Sequence, residues 1–241
     1  MEAEAVVVMA ALSTMTPTQA MRALKAAGTE QNRKIYPRHG VTSPLFGVSF
    51  ADLRKLRKQI GVDHAVALSL WDSGNHDARM LATMVADPGE MSRRDLDRWA
   101  NATDNYVLSD AVAELAARTE HFDSRADKWT RSRREFTAHA GWNLVAAQAM
   151  ATDDRPDGYF VERLQTIEAT MADAPNRTRH AMHMTLIAIG GRSKGLRRRA
   201  AATTKRLGTP VVDHGQTSCT TPDAVPYMDR MWERKLAKAG A

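Results

Sequence analysis

The sequence predicts an all-α protein in which antiparallel helix pairs stack on one another. Apolar residues recur at helical spacing along almost the whole chain, and no stretch alternates polar and apolar residues as a half-buried strand does. Capping residues, prolines and glycines interrupt this pattern, so that each helix pair takes roughly forty residues, a period typical of HEAT-type repeats. We therefore predict a HEAT-like α-solenoid, while a globular helical bundle remains open as an alternative.

The start of each helix is marked by residues that suit a helix N-terminus. Thr16 with Pro17, Ser49 and Ser92 are examples, because a short polar side chain caps the free backbone N–H groups of the first turn. The predicted helices span about residues 17–27, 29–38, 50–60, 63–71, from 75 or 76 up to the break at 88–89, 92–102, 106–118, 122–130, 132–150, 159–173, 176–190, 193–207 and 223–238.

The chain divides into three regions. Residues 16–207 carry the helical repeats, and residues 208–241 form a C-terminal extension with a loop-like stretch and a final helix. Residues 1–15 are predicted to be a loosely packed N-terminus. Their apolar run is shorter than the roughly twenty residues of a membrane span, and acidic Glu2 and Glu4 precede it, unlike a secretory signal. We expect a cytoplasmic protein with no membrane partner.

The charge balance is moderately basic, with 34 Lys and Arg against 28 Asp and Glu in 241 residues. Such an excess suits a nucleic-acid partner, although many proteins without one share it. Basic clusters lie at 54–58, 128–134 and 192–206, and each is otherwise an ordinary solvated helix face. The third is the densest, and its candidates for DNA-backbone contact are Arg192, Lys194, Arg197, Arg198 and Arg199.

One carboxylate stands inside an apolar helical run. Asp110 lies in the segment 105–112, and Tyr106 precedes it by one turn on the same helix face. An Asp on the buried side of a helix is costly unless it is paired or used. An aromatic surface beside a carboxylate suits the handling of a base or sugar that develops positive charge. The alternative is an Asp that caps or salt-bridges a neighbouring helix, beside a Tyr that packs in the core.

Several segments, in the same order, resemble the DNA alkylation repair proteins of the AlkD-like kind. PLFGV at 44–48, followed by DLRKL at 52–56, is similar to the start of that family, and LWDSGNHDAR at 70–79 is similar to a further family segment. Asp110 falls where the family has its catalytic Asp. The resemblance covers about residues 17–207.

The resemblance implies a HEAT-like solenoid whose concave, basic face holds double-stranded DNA. Family members that are enzymes hydrolyse the N-glycosidic bond of cationic N3- or N7-alkylated purines, without flipping the damaged base into a protein pocket. Since such a base already carries positive charge, one Asp suffices in principle, by electrostatic stabilisation of the sugar cation. The resemblance thus implies a DNA-alkylpurine N-glycosylase with Asp110 as its catalytic residue. We expect no cofactor and a monomer.

The chain departs from the family at the other positions of this active surface. Tyr106 stands where the family has a Trp, and His139 stands where an Arg is expected. Met184 replaces a further Trp, beside His183 on the same predicted helix. We take Tyr106, His139, His183 and Met184 as candidate substrate-binding residues. The departures favour an alternative of a different class, a non-catalytic helical-repeat scaffold that binds DNA structure or a protein partner.

Histidines and the single cysteine offer other chemistry. His180 and His183 lie one helical turn apart, a spacing found among metal ligands, but no carboxylate or thiolate on the same face completes a set, so we predict no metal site. Cys219 is the only cysteine, which excludes an intramolecular disulfide. With His214 it is a potential nucleophile pair, in a tail at 213–223 that resembles a subgroup of these repair-like proteins. A structural loop is the plainer interpretation.

Overall fold

Helices make up the regular structure of residues 15–239, the part of the chain that the computed structural model describes, and no β-strand occurs within it. The all-α prediction is confirmed. The prediction of a loosely packed N-terminus lies outside the described residues, apart from Met15, which packs half-buried against the core. The elements are α1 (Pro17–Ala27), α2 (Glu30–Ile35), a 3₁₀ helix (Tyr36–His39), α3 (Phe50–Ile60), α4 (His64–Asp72), α5 (His76–Val85), α6 (Arg93–Asn101), α7 (Tyr106–Ala116), α8 (Phe122–Trp129), α9 (Glu135–Met150), α10 (Asp157–Thr170), α11 (Asn176–Arg192), α12 (Lys194–Leu207) and α13 (Ala224–Ala239).

Side-chain caps fix where many of these helices begin. The capping side chains accept the backbone N–H three residues further on, and each such cap contributes about 1 kcal/mol. The Asn105 cap orients the first turn of α7, which carries both Tyr106 and Asp110. The residues that cap in this way are Thr16, Thr29, Ser49, Asp63, Asn75, Ser92, Asn105 and Ser193.

The segment predicted as one helix over 29–38 is divided. The α-helix α2 ends at Ile35, and the 3₁₀ helix takes the chain onward to Gly40, whose φ of 85° ends it. The physical reason is Pro37, which has no N–H for the helix ladder and whose ring clashes with the carbonyl four residues earlier. The tighter turn brings His39 to Tyr106 of α7, a contact between segments far apart in sequence.

The helices pack in two rows. The helices α3, α5, α7, α9 and α11 lie side by side, each against the next, and α4, α6 and α8 pack behind α5, α7 and α9. Behind the last of these helices, α10 and α12 pack against α11 and against each other. This is the stacked-pair arrangement that the sequence predicted, and it leaves the outer face of the first row to carry side chains that converge from several repeats.

The core runs between the two rows and contains most of the tryptophans. Trp71 of α4 stacks on Trp99 of α6 with ring centroids 4.1 Å apart and an interplanar angle of 2°. The indole N–H of Trp129 donates to Asp97 at 2.8 Å. Burial of rings of this size dominates the packing energy of a helical core, with about 2–3 kcal/mol for each large apolar side chain.

A single carboxylate holds the loop that precedes α3. Asp77 is fully buried, and its two oxygens accept the backbone N–H groups of Phe46, Gly47 and Val48 at 2.6, 3.0 and 2.9 Å. Gly47 takes a φ of 80°, a conformation that only glycine adopts at little cost. These contacts give α3 a fixed position relative to α5.

The C-terminal extension folds back onto α11. Asn176 binds the backbone of Asp213 twice, donating to its carbonyl at 2.8 Å and accepting its N–H at 2.7 Å. The final helix α13 packs on α11 and α12, where it buries Met228 and donates from the Trp232 indole to the carbonyl of Gly190 at 2.9 Å. Residues 208–223 therefore lie against the last repeat.

Candidate nucleic-acid interface around Asp110

Asp110 is held by one carboxylate oxygen and open at the other. Its Oδ1 accepts from His139 Nε2 at 2.7 Å and from Asn143 Nδ2 at 2.6 Å, both on the neighbouring α9. No described residue donates to Oδ2, and the side chain is 50% exposed. The sequence offered two outcomes for Asp110, an open carboxylate beside Tyr106 or a carboxylate in a salt bridge. The structure combines them, because the group is both paired and accessible.

The buried side chain of His139 fixes the orientation of the Asp110 carboxylate. The ring is only 3% exposed, and its Nδ1 lies 2.9 Å from the backbone carbonyl of Arg177. Both partners of the ring, a carbonyl and a carboxylate, are hydrogen-bond acceptors, so the ring satisfies both contacts only when it carries two protons. The imidazolium form then pairs electrostatically with Asp110 and links α9 to both α7 and α11.

Tyr106 has both of its binding surfaces engaged. Its hydroxyl lies 2.7 Å from His39 Nδ1, and the guanidinium carbon of Arg177 lies 4.2 Å from the centre of its ring. Burial raises the pKa of Tyr106, and the charges of Cys219 and Asp110 add to this effect while Arg177 opposes it. A guanidinium stacked on a half-buried ring is a favourable cation–π contact, and it covers the face on which a sugar or base would stack.

Arg177 was missed by sequence reasoning, although a signal for it was present. The family position for an Arg falls at His139, which is buried, and the guanidinium over Tyr106 comes instead from the start of α11. Arg177, His180 and Met184 follow one another at intervals of three and four, so they share one face of that helix. The helical spacing that relates these residues therefore places Arg177 on the face that carries the candidate Met184.

The other two candidate substrate-binding residues lie further from Asp110. His183 is 1% exposed, and its Nε2 lies 2.8 Å from the backbone carbonyl of Pro222, so it anchors the tail. Burial lowers the pKa of His183. Met184 packs half-buried against the hydrophobic core.

A histidine group surrounds the start of the tail. His180 and His214 meet edge to face with ring centroids 5.4 Å apart. Burial, followed by the nearby charges of His139, His214, Arg177 and His183, lowers the pKa of His180 to about 4. His214 lies 2.9 Å from the Thr221 hydroxyl through Nε2, and Cys219 is exposed. No cluster of three or more His, Cys, Asp or Glu suited to a metal ion occurs among residues 15–239.

The tail also approaches the 3₁₀ helix, which precedes the first helix of the row. A cavity of about 660 Å³ is lined jointly by the 3₁₀ helix, by α9 and α11, and by the tail. Gly215 lies so close to the backbone carbonyl of Arg38 that a Cβ atom there would come within 2.9 Å of it. Tail, α11 and the 3₁₀ helix therefore converge beside Tyr106.

A groove of about 580 Å³ runs from Asp110 across α7 and α5 to α3. Arg54 and Arg57 of α3 are exposed and line its far side. Glu114 and Arg118 line the side of α7, where the Arg118 guanidinium donates to the carbonyl of Thr83 at 3.1 Å. The groove thus places cationic side chains and the open carboxylate on one continuous surface.

The basic residues of α11 and α12 lie in several different environments. Arg192 is internal, because its guanidinium donates to the backbone carbonyls of Gln148, Ala151 and Asp153 and its side chain is 12% exposed. Arg197 pairs with Asp229 of α13. Lys194, Arg198 and Arg199 are exposed, and the last two line a cavity between α10 and α12. That cavity shares no lining residue with the groove at Asp110.

Stacked helix pairs with a carboxylate and cationic side chains on one row define a HEAT-like repeat protein. The chain belongs to the DNA alkylation repair enzyme family, whose model matches residues 20–228. Across residues 15–239, no helix is long and apolar enough to cross a membrane.

Two curated relatives match this chain in sequence over most of their length. An uncharacterized protein of Listeria innocua is 27% identical over 218 residues, which is 88% of this chain and 95% of the relative. An uncharacterized protein of Listeria monocytogenes is 25% identical over 217 residues, with the same coverage of 88% and 95%.

A solved structure is described as a new family of proteins related to the HEAT-like repeat DNA glycosylases with affinity for branched DNA structures. It matches with a TM-score of 0.80 and 28% identity over 92% of this chain and 95% of that chain. This likeness confirms the HEAT-like fold over the bundle alternative.

Proposed function

We propose that this protein binds DNA along the groove at Asp110 and prefers branched DNA to uninterrupted duplex. The observation that carries the proposal is the pair Arg54 and Arg57, exposed on the same groove as Asp110. Neither arginine has an ion-pair partner among residues 15–239. Free guanidinium groups reward phosphate binding, because they release counterions without reading sequence.

The preference for branched DNA rests on the state of Tyr106. The surface that would stack on a lesion is covered by Arg177, and the tail converges beside it. A site that reads an alkylated nucleotide needs that surface free. The structural neighbour at 28% identity has affinity for branched DNA structures, which supports recognition of DNA shape by the same scaffold here.

The test compares a fluorescently labelled three-way junction with a linear duplex of equal length by fluorescence anisotropy. We expect tighter binding of the junction. The variant Arg54→Glu/Arg57→Glu should weaken junction binding at least roughly tenfold, or 1.4 kcal/mol, because two phosphate contacts become repulsive. The matched control is Arg198→Glu/Arg199→Glu, which makes the same charge change on α12. A larger loss in the control would assign phosphate binding to α12, and equal binding of both DNAs would refute the preference.

Base release from alkylated DNA is a second candidate function, favoured by the free Oδ2 of Asp110. A carboxylate held through one oxygen presents the other in a fixed position, where it stabilises a developing sugar cation without reorganisation. His139 and Asn143 act as positioning residues for it. We expect weak activity, because Arg177 covers one face of the Tyr106 ring.

The test measures N3- and N7-methylpurine release from alkylated DNA by the wild type and by Asp110→Asn. The variant should lose activity while it retains its fold and DNA binding, both measured on the same preparation. Equal release by the two proteins would remove Asp110 from the chemistry. No release by either would leave the chain as a DNA-binding scaffold.

A further inference from the structure

A second cavity opens beside the groove, at the junction of the 3₁₀ helix with α3, α5 and α7. Its volume is about 250 Å³, and its walls are mainly apolar, with Val48, Leu53, Met80 and Val107 among them. An apolar protein cavity of roughly 150 Å³ accepts benzene. This cavity therefore has room for a somewhat larger planar ring.

The buried side chain of His76 lines this cavity and has one ring nitrogen without a hydrogen-bond partner among residues 15–239. His76 lines it and is 3% exposed, and its one hydrogen bond is the contact of Asn105 Nδ2 with Nδ1 at 3.4 Å. The backbone N–H of Leu108 donates to Asn105 Oδ1 at 2.9 Å, which fixes the amide so that its NH₂ faces His76. Nδ1 is then an acceptor, and the ring proton lies on Nε2, which has no partner among residues 15–239.

The charge state of His76 agrees with this assignment. Burial lowers the pKa of His76 more than the nearby charges of Asp77 and Asp104 raise it, and Arg79 adds a smaller lowering effect. The carboxylate of Asp77 also lines the cavity, but three backbone N–H groups already engage it. The cavity thus offers a hydrogen-bond donor from His76 within apolar and aromatic walls, which suits a heterocycle that carries an acceptor.

The cavity is continuous with the phosphate-binding groove. Phe50, Met80 and Val107 line both of them, and Phe50 is 44% exposed at their shared edge. Phe50, Arg54 and Arg57 follow at intervals of four and three on one face of α3. A DNA strand whose phosphates contact the two arginines therefore carries its bases past the cavity mouth.

We propose that this cavity receives an unpaired nucleobase of the bound DNA, with His76 Nε2 donating to a ring nitrogen or carbonyl of the base. The inference rests on the proposed function, since it needs DNA in the groove. A branch point supplies a base that is already unstacked, so the protein spends little energy on extrusion. The cavity explains a preference for branched DNA through a contact that duplex cannot make.

The experiment uses two three-way junctions that differ in one position. One junction carries an unpaired adenine at the branch point, and the other carries a tetrahydrofuran abasic analogue there. We expect the wild-type protein to bind the adenine junction roughly tenfold more tightly, as is typical for one base held by aromatic and apolar side chains. Fluorescence anisotropy gives the ratio of the two dissociation constants.

Two variants probe the cavity itself. Val41→Phe fills it from the loop before α3, and His76→Phe removes the donor while it keeps a ring. The ratio should fall to about one in the first variant and should decrease in the second. The matched controls are Val161→Phe on α10 and His64→Phe on α4, which should keep the wild-type ratio. Circular dichroism verifies folding, and if Val41→Phe does not fold, His76→Phe decides.

Each failure has a distinct meaning. If the wild type binds both junctions equally, the cavity receives no base and the inference is overturned, while DNA binding stands. If both cavity variants keep the wild-type ratio, the base is recognised elsewhere and the inference is also overturned. If neither junction is bound, the proposed function fails, and the cavity inference fails with it.

Discussion

At the residue scale, the pairing of Asp110 with His139 decides what the site offers. A buried imidazole that touches two acceptors ties one carboxylate oxygen and leaves the other open. His139 is only 3% exposed, so an Arg at this position would have to be buried. The guanidinium near Tyr106 comes from Arg177 instead. Where the family pattern has an Arg, this chain therefore has His139 beside Asp110, and a guanidinium is supplied to Tyr106 by Arg177.

Asp77 should be a strong determinant of stability. Asp77→Asn replaces one acceptor oxygen by an NH₂ group that faces backbone N–H donors, so buried amide groups lose their partner. We expect a loss of about 2–4 kcal/mol in the free energy of unfolding, measured by urea denaturation. The control Asp72→Asn changes an exposed ion pair with Arg98 and should cost less than about 1 kcal/mol. Similar losses in both variants would contradict this role.

His180 should make stability depend on pH. Its folded pKa of about 4 lies below the ordinary histidine value of 6.5, so between these values the unfolded chain binds a proton that the folded chain does not. The His180 contribution is therefore complete above pH 6.5 and is lost as the pH falls toward 4. Allowing for solvent screening of this half-buried ring, we expect an effect on the order of 1 kcal/mol.

The measurement is chemical denaturation of the wild type and His180→Gln between pH 4 and 7. The variant should lose less stability on acidification, because glutamine does not titrate. His76 and His183, whose pKa values are also lowered, should preserve part of the decline. His64→Gln serves as the control. An identical decline in wild type and His180→Gln would show that His180 does not report on folding.

At the element scale, the tail is joined to the repeats by polar contacts more than by apolar burial. Residues 211–223 contain no regular structure, and most of their side chains are exposed or half-buried. The carbonyl of Val211 accepts from Arg179 at 3.0 Å, and that of Pro222 contacts His183. A segment held in this way should open locally without global unfolding.

Asn176→Ala should release the tail selectively. The change removes both hydrogen bonds between Asn176 and the backbone of Asp213. We expect faster hydrogen exchange at the amides of Asp213 and Gly215, with a loss of at most about 2 kcal/mol in global stability. Gln165→Ala on the exposed face of α10 is the control. Unchanged exchange in the tail would mean that other contacts hold it.

At the scale of the whole molecule, two separate cationic surfaces are candidates for the proposed DNA binding. One is the groove with Arg54 and Arg57, and the other is the exposed face of α12 with Arg198 and Arg199. The net charge of +6 does not distinguish them. Their geometry does, because only the first surface also contains Asp110.

The salt dependence of DNA binding should identify the surface. Each phosphate neutralised contributes about 0.9 to the slope of log affinity against log salt. Arg54→Gln/Arg57→Gln should therefore reduce the slope by about two, while Arg198→Gln/Arg199→Gln should leave it unchanged. Anisotropy titrations of a labelled junction over a series of NaCl concentrations give the slopes. The reverse pattern would place the DNA on α12.

The sequence by itself determined the helical class, most of the helix starts and the family. These features depend on local signals, such as the caps at Ser49 and Ser92 and the helical spacing of apolar residues, which act within one or two turns. It also singled out Asp110, from a carboxylate within an apolar run. The helical spacing of apolar residues does not show the division of the segment at 29–38, whereas Pro37, which lacks an N–H, does indicate it.

Only the tertiary structure decided which residues surround Asp110. His39, His139 and Arg177 belong to three elements, and their contacts depend on how α7, α9 and α11 pack. The sequence also assigned the basic residues of α11 and α12 to one surface, whereas Arg192 caps carbonyls inside the fold and Arg197 pairs with Asp229. A charge pattern along a chain gives the number of cations, but the partners of each one are fixed by long-range packing, which no local pattern encodes.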